Sequence, residues 1–267
     1  MPLVAPTACL TPLFVPANRP ERYGKAAASG ADAVIVDLED AVAVEDKDAA
    51  RATLAASALP DQAMVRINAA GTRWHAADLA AMRSLKLGGV MLPKAESADH
   101  IAAVRAVTGD LPVVALIESA RGLAAAREIA RHADRLAFGY LDFSADLGAS
   151  MERDALLSAR AEIVLASRLA GRPAPLEGVT PSFDDAALVE DDARHAAAMG
   201  FGGKLCIHPK QLAPTRAGFR PAAADIAWAE RIAASGDGAV SIDGQMVDAP
   251  GRLRAQRILA AARAAGV

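Results

Sequence analysis

Glu118 and Asp142 each stand just past a short apolar run, Val113-Val114-Ala115-Leu116-Ile117 in one case and Leu136-Ala137-Phe138-Gly139 in the other. If the runs are neighbouring strands, the two carboxylates meet at one end. There they can coordinate a hard cation, Mg²⁺ or Mn²⁺, with water and substrate oxygens completing an octahedron. The competing role is an ion pair with Arg121 or Arg135. Arg66 lies inside Met64-Val65-Arg66-Ile67-Asn68, so its guanidinium is expected in the same region, where a planar fork suits bidentate capture of a substrate carboxylate. Its alternative is a structural pair with Asp37 or Glu39.

The segment Asp37-Leu38-Glu39-Asp40 crowds three carboxylates that a metal, Arg66, Lys94 or a proton must neutralise. They can accept hydrogen bonds from metal-bound water, or they can cap the segment that follows. Asn18-Arg19-Pro20-Glu21-Arg22-Tyr23-Gly24-Lys25 opens a helical pattern with three cations, suited to coenzyme phosphates or simply to a solvated face. A desolvated Lys94 can form a Schiff base, but carboxylates around it raise its pKa and oppose that chemistry. His208-Pro209-Lys210 reads as a supporting turn. Cys9 and Cys206 sit in apolar runs without companions for a zinc site, so both are expected to be buried hydrophobes.

The elements that must position these residues are eight apolar runs at 12–16, 33–36, 64–67, 89–92, 113–117, 136–139, 178–179 and 205–207. They alternate with amphipathic helical patterns at 20–29, 46–57, 76–87, 98–108, 122–132, 155–170, 185–199 and 222–234. Gly30, Gly109, Gly171 and Gly200 follow helical stretches, where a left-handed cap favours glycine. Strict alternation of strand and helix, with polar residues past the strand ends, predicts an α/β fold, a (β/α)8 TIM barrel whose chemistry sits on its C-terminal face. Residues 236–248 alternate around Asp243-Gly244 and predict a hairpin, followed by a closing helix at 252–264. The expected division is a catalytic barrel at 1–220, then at 221–267 the last barrel helix and a lid or oligomerisation extension.

The chain of 267 residues fits one barrel, and its net charge of -3 opposes non-specific nucleic-acid binding. Charges interrupt the apolar runs too often for a membrane span. The first seven residues lack the pattern of a signal peptide, and with two unpaired cysteines the expected compartment is the cytoplasm.

Seven ordered segments resemble the citrate lyase β-subunit-like family, which includes malyl-CoA and citramalyl-CoA lyases. They are Phe14-Val15-Pro16-Ala17-Asn18-Arg19-Pro20-Glu21-Arg22, Asp32 to Val42 around Asp37-Leu38-Glu39-Asp40, Val65-Arg66-Ile67-Asn68, Leu92-Pro93-Lys94, Ile117-Glu118-Ser119, Asp142-Phe143-Ser144-Ala145-Asp146-Leu147-Gly148 and Cys206-Ile207-His208-Pro209. The resemblance implies Mg²⁺ on Glu118 and Asp142 and a 2-oxo acid carboxylate on Arg66. It further implies a C-terminal segment whose aspartate enters a neighbouring subunit's site; Met246-Val247-Asp248-Ala249-Pro250 matches, making Asp248 the candidate acid/base. The expected catalytic set is Asp248, Arg66, Asp37 and Glu39, with Asn18, Arg19, Lys25 and Lys94 binding substrate beside Arg66. The expected reaction is reversible cleavage of a 3-hydroxy-3-carboxyacyl-CoA, citramalyl-CoA before malyl-CoA, in a homotrimer or hexamer exchanging lids. The alternatives are a citrate lyase β subunit acting on citryl-acyl-carrier protein, a metal-dependent aldolase of free 2-oxo-4-hydroxy acids, and a non-catalytic acyl-CoA binder.

Overall fold

A computed structural model describes residues 4–235, 240–242 and 245–264, the 240–242 and 245–247 strands by their backbone alone. Eight parallel strands lie in sequential order: β1 (Pro12–Pro16), β2 (Ala33–Asp37), β3 (Met64–Arg66), β4 (Gly89–Leu92), β5 (Val113–Ile117), β6 (Arg135–Phe138), β7 (Leu176–Glu177) and β8 (Gly203–Lys204). The sheet closes because Lys204 N–H donates to Leu10 O, Cys206 N–H to Pro12 O, and Phe14 N–H to Cys206 O. The expected TIM barrel is therefore the observed fold.

Side chains alternate across each strand. Ala33, Ile35, Met64, Met91, Val114, Leu116, Ala137, Leu176 and Leu205 fill the barrel interior, while Val34, Val36, Val65, Val90, Val113 and Ala115 pack outward under the helices. That parity continues past the core: Asp37 follows Ile35, Arg66 follows Met64 and Glu118 follows Leu116, so all three point inward at the mouth. The opposite end is plugged by buried Arg135, whose guanidinium donates to the carbonyls of Pro6, Cys9 and Ala174. Cys9 and Cys206 are fully buried and free, and burial pushes both thiols up to about 11.

The helices are α1 (Tyr23–Ala28), α2 (Lys47–Ala56), α3 (His75–Met82), α4 (Ala98–Thr108), α5 (Ala120–Ala124), α6 (Ala126–His132), α7 (Tyr140–Leu147), α8 (Leu157–Leu169), α9 (Ala186–Met199), α10 (Leu212–Phe219), α11 (Ala223–Ala234) and α12 (Ala249–Ala264). Several differ from the sequence reading. The seventh and eighth strands lie upstream of the runs at 178–179 and 205–207, because buried Glu177 and Lys204 interrupt the apolar pattern within the strands themselves. The stretch at 122–132 belongs to two helices joined at Ala125, and α1 is preceded by a 3-10 turn at Pro20–Arg22. Neither α7 nor α10 was foreseen. The helix after β8 is α10, not the stretch at 222–234; Pro214 and Gly218 depress its helical propensity. Packing overrides propensity there, since a Cβ at Gly218 would lie 2.6 Å from Ala193 Cβ on α9.

Helices α11 and α12 pack on each other around Ala229, Ile232 and Ala255, a cluster separate from the barrel core. Between them β9 (Val240–Ile242) pairs antiparallel with β10 (Gln245–Val247), as the hairpin reading expects; the Asp243-Gly244 turn lies outside the described residues. No described helix is long and apolar enough to cross a membrane.

Candidate active site at the barrel mouth

A cavity of about 370 Å³ opens at the C-terminal ends of the strands. Its apolar wall includes Phe14, Leu116, Phe138 and Leu205, and Asp37, Arg66, Glu118 and Asp142 face it from the other side. In strand register Asp37 is the direct neighbour of Arg66. That pairing produces a fork: Arg66 Nε donates to Asp37 Oδ1 at 2.7 Å and Nη2 to Oδ2 at 2.6 Å. Asp37 also accepts the backbone N–H groups of Glu39 and Ala41 at 2.9 and 3.0 Å. Its oxygens are thus committed to holding Arg66 and capping the next turn. Arg66 Nη1 reaches Asp40 at 3.2 Å and Glu39 at 3.0 Å, and the guanidinium lies 4.8 Å from the Phe14 ring centre. Burial opposes the Arg66 charge, but Asp37, Glu39 and Asp40 outweigh it and hold the group above the ordinary arginine range.

Lys94 ties the other half together. Its ammonium lies 2.7 Å from Glu39, 3.1 Å from Asp142 and 3.8 Å from Glu118. Burial opposes its charge too, yet the hydrogen bond to Glu39 and the surrounding carboxylates raise its pKa above the ordinary value, the opposite of what a Schiff-base lysine needs. Lys94 also adopts φ +47°, a left-handed conformation uncommon outside glycine, and from it donates its backbone N–H to Glu118 Oε1 at 2.8 Å. Arg121 and Arg135, the partners of the competing ion-pair reading, are not used: Arg121 is exposed on α5, and Arg135 lies at the far end of the barrel. The strand-end parity that brings Glu118 to the mouth carries Arg135, at the start of its own strand, away from it.

Five carboxyl groups here face two cations. Burial, reinforced by Glu39, pushes the Glu118 carboxyl up to about 8, and burial pushes Glu39 up to about 7. Glu39 Oε2 is buried without hydrogen-bonding geometry to any partner. A carboxylate pair and a lysine ammonium standing among the carboxylates are the surroundings of a hard divalent cation. Among the described residues no three His, Cys, Asp or Glu side chains enclose a metal by themselves. Glu118 and Asp142 would therefore share the ion with water and substrate, an arrangement typical of Mg²⁺. The residues fit the group.

Two positioning residues escaped the sequence reading. Gly139 has no side chain because a Cβ there would overlap the Glu118 carboxylate and lie 2.6 Å from Glu118 Cβ. Lys47 is buried and donates to the carbonyls of Leu38 and Glu39 at 3.0 and 2.8 Å, against the Trp74 ring, thereby fixing the carboxylate-bearing turn. A signal for Lys47 existed: with Ala50 and Leu54 it occupies the buried face of α2 at helical spacing.

Asn18, Arg19 and Lys25 are exposed on the rim beside β1, and Arg19 pairs with Glu21 at 2.7 Å. His208 supports its turn by accepting the Lys210 N–H at 3.1 Å, and its ring stacks on Phe183 at 4.8 Å. Asp248 is exposed, does not line this mouth cavity, and accepts the Gly251 N–H at 3.2 Å at the start of α12.

A family model described as HpcH/HpaI aldolase/citrate lyase matches residues 10–209. A citrate lyase subunit beta-like protein from Mycobacterium tuberculosis strain H37Rv is 43% identical over 261 residues, covering 92% of this chain and 93% of that protein. A (3S)-malyl-CoA thioesterase from Cereibacter sphaeroides strain ATCC 17029 is 34% identical and covers 94% of each chain. The crystal structure of CitE from M. tuberculosis in complex with magnesium, acetoacetate and coenzyme A superposes with a TM-score of 0.87 at 40% identity, over 96% of this chain and 98% of that one. Extending across barrel and mouth alike, these likenesses make the chain an enzyme of the HpcH/HpaI aldolase/citrate lyase family, similar to citrate lyase β subunits.

Proposed function

We propose that this enzyme is a Mg²⁺-dependent carbon–carbon lyase that cleaves a 3-hydroxy-3-carboxyacyl-CoA into acetyl-CoA and a 2-oxo acid, reversibly. The observation that carries the reading is the convergence of Glu118, Asp142 and Arg66 on one cavity with excess carboxylate. Magnesium, acetoacetate and coenzyme A in the similar CitE structure agree with it. Mn²⁺ would serve the same ligands.

Glu118 and Asp142 would hold the ion, which would supply Lewis acidity for the carbon–carbon cleavage. Arg66 receives the substrate carboxylate at Nη1, where it takes the place of Asp40, the exposed and most easily displaced of the three acids on that guanidinium. Asp37 keeps the fork aimed and Glu39 supplies an acceptor at the mouth. Lys94, a cation on the same mouth carboxylates, would pair with the developing enolate charge. Asn18, Arg19 and Lys25 on the rim receive coenzyme phosphates. Asp248, carried by the extension at 221–267 into a neighbouring subunit of a homotrimer or hexamer, protonates the acetyl carbon in cleavage and deprotonates it in condensation.

Citramalyl-CoA is the favoured substrate, ahead of malyl-CoA; they differ by one methyl, worth about 1–3 kcal/mol against the cavity's apolar wall. The test is release of acetyl-CoA and of free CoA from malyl-, citramalyl- and citryl-CoA, with Mg²⁺ and with excess chelator. Mg²⁺-dependent acetyl-CoA from one thioester supports the proposal. Free CoA alone would instead indicate hydrolysis, the activity named for the C. sphaeroides relative. Failure on all three, with turnover of citryl-acyl-carrier protein, would indicate a citrate lyase β subunit.

A further inference from the structure

A second cavity, of about 50 Å³, lies on the β7 and β8 side, between the barrel and the helices α8 and α9. Arg153, Arg160, Glu177, Asp192, His195 and Lys204 line it, and no step proposed above uses any of them. The acids among them are fully engaged. Glu177 Oε2 accepts from Arg160 Nε at 2.8 Å, and its Oε1 accepts the Gly178 N–H at 2.9 Å. Asp192 accepts from Arg153 at 2.8 Å and from the Thr180 hydroxyl at 2.7 Å.

The donors are not. Arg160 Nη1 and His195 Nε2 are buried without a hydrogen-bond partner. Lys204 is 2% exposed, and its ammonium gives one hydrogen bond, to Gly178 O. Among the described residues it forms no ion pair. Arg153 bridges Asp191 at 2.7 Å and Asp192 at 2.8 Å, and Arg160 pairs with Glu177, so the acids nearest Lys204, Glu177 and Asp192, are shared with arginines and neither lies in ion-pair contact with it, an arrangement that an added anion would relieve. Arginine and lysine only donate hydrogen bonds, so what fills the cavity must accept them. Burial pushes the Lys204 pKa down against the pull of Glu177 and Asp192, and burial, aided by Arg153 and Arg160, lowers that of His195.

We propose that this cavity binds one small monovalent anion of halide size, held by Arg160, His195 and Lys204. A water needs about 10–15 Å³ of such space, so the cavity has room for a few water-sized groups. That admits a chloride ion. Met151, 59% exposed, and Arg153 stand at its outer side, giving an entry path from solvent. The site adjoins the mouth without belonging to it. Tyr140 lines both cavities, and Lys204 holds the carbonyl of Gly178, itself part of the mouth wall. A bound anion would fix that wall, whichever reaction the mouth performs.

The test is thermal unfolding of the full chain in sodium chloride and in sodium gluconate at matched ionic strength, with bromide-soaked crystals examined for anomalous scattering. The expected result is a saturable rise in Tm with chloride but not gluconate, and a bromide peak between Arg160 Nη1, His195 Nε2 and Lys204 Nζ. His195→Leu should move the chloride midpoint up at least tenfold, and Lys204→Met should abolish the response. If Lys204→Met does not fold, His195→Leu and the bromide peak decide. A Tm that follows ionic strength alone, or a site holding water with no bromide signal, would overturn the proposal.

Discussion

Replacing Glu118 with Gln separates the electrostatic burden of the mouth from its metal chemistry. The Glu118 side chain is 3% exposed, and its carboxyl titrates near 8 rather than 4.5, from burial first and the Glu39 charge second. At about 1.4 kcal/mol per pH unit, ionising it in the folded chain is about 5 kcal/mol harder than in the unfolded chain. Because the folded pKa is the higher one, the folded state retains the proton. Stability therefore falls as pH rises through the window from 4.5 to about 8 and then levels off. Gln does not titrate and keeps an acceptor for the Lys94 N–H. In chelator, Glu118→Gln is expected to exceed the parent by about 1 kcal/mol at pH 5 and by about 5 kcal/mol at pH 8.5, a large share of the 5–15 kcal/mol typical of a domain. With Mg²⁺ at a hundredfold excess over Kd, the parent should gain about 2.7 kcal/mol and the variant nothing. Urea unfolding followed by circular dichroism across that pH range, with chelator or Mg²⁺, measures both effects. Parallel pH profiles for parent and variant, or equal Mg²⁺ stabilisation of the two, would refute the reasoning.

Gly139→Ala should push Glu118 aside, removing the Mg²⁺-dependent rise in Tm and lowering turnover by about 10²-fold, the scale of a displaced catalytic group; far-ultraviolet circular dichroism should stay native. Lys94→Met removes the ammonium that competes for the carboxylates, so Mg²⁺ should bind about tenfold more tightly by calorimetry, consistent with about 1.4 kcal/mol for one exchanged charge contact. Borohydride with a 2-oxo acid should leave the mass of the parent enzyme unchanged. Lys47→Met removes one of the two hydrogen bonds accepted by each of the Leu38 and Glu39 carbonyls, leaving those from Asn68 Nδ2 and the Val42 N–H, and should cost about 1–2 kcal/mol in urea unfolding, with an increased KM for the thioester. Asp248→Asn should keep Mg²⁺ binding but lose turnover, and mixing it with inactive Glu118→Gln after subunit exchange should restore part of the activity. No recovery on mixing would assign Asp248 a role within its own chain, or none.

The first six strands were legible because each is an apolar run with one face inside the barrel and the other under helices. The last two were obscured by Glu177 and Lys204, charged residues whose partners Arg160 and Gly178 O are far away in sequence or are backbone. The acids and bases at the mouth were legible from their places past the strand ends, yet their pairing was not. Choosing Lys94 over Arg121 depends on a left-handed residue at 94, which does not follow from spacing, whereas Arg135, ahead of its apolar run, already stands at the end of β6 opposite the mouth. The missed α7 puts Asp142 in the first turn of a helix where the sequence shows only a mixed polar segment. Gly139 shows that an absent side chain can matter as much as a present one.

The separate packing of α11 and α12 bears on how such an enzyme changes over generations. Their cluster of Ala229, Ile232 and Ala255 shares no buried residue with the barrel core. Substitutions, insertions or replacement of that helical pair are therefore filtered by its own small core, not by the stability of the eight-stranded sheet. Lineages can redesign what the helical pair presents to its surroundings while the carboxylates at the barrel mouth stay as they are, so new specificities can arise at little cost to folding.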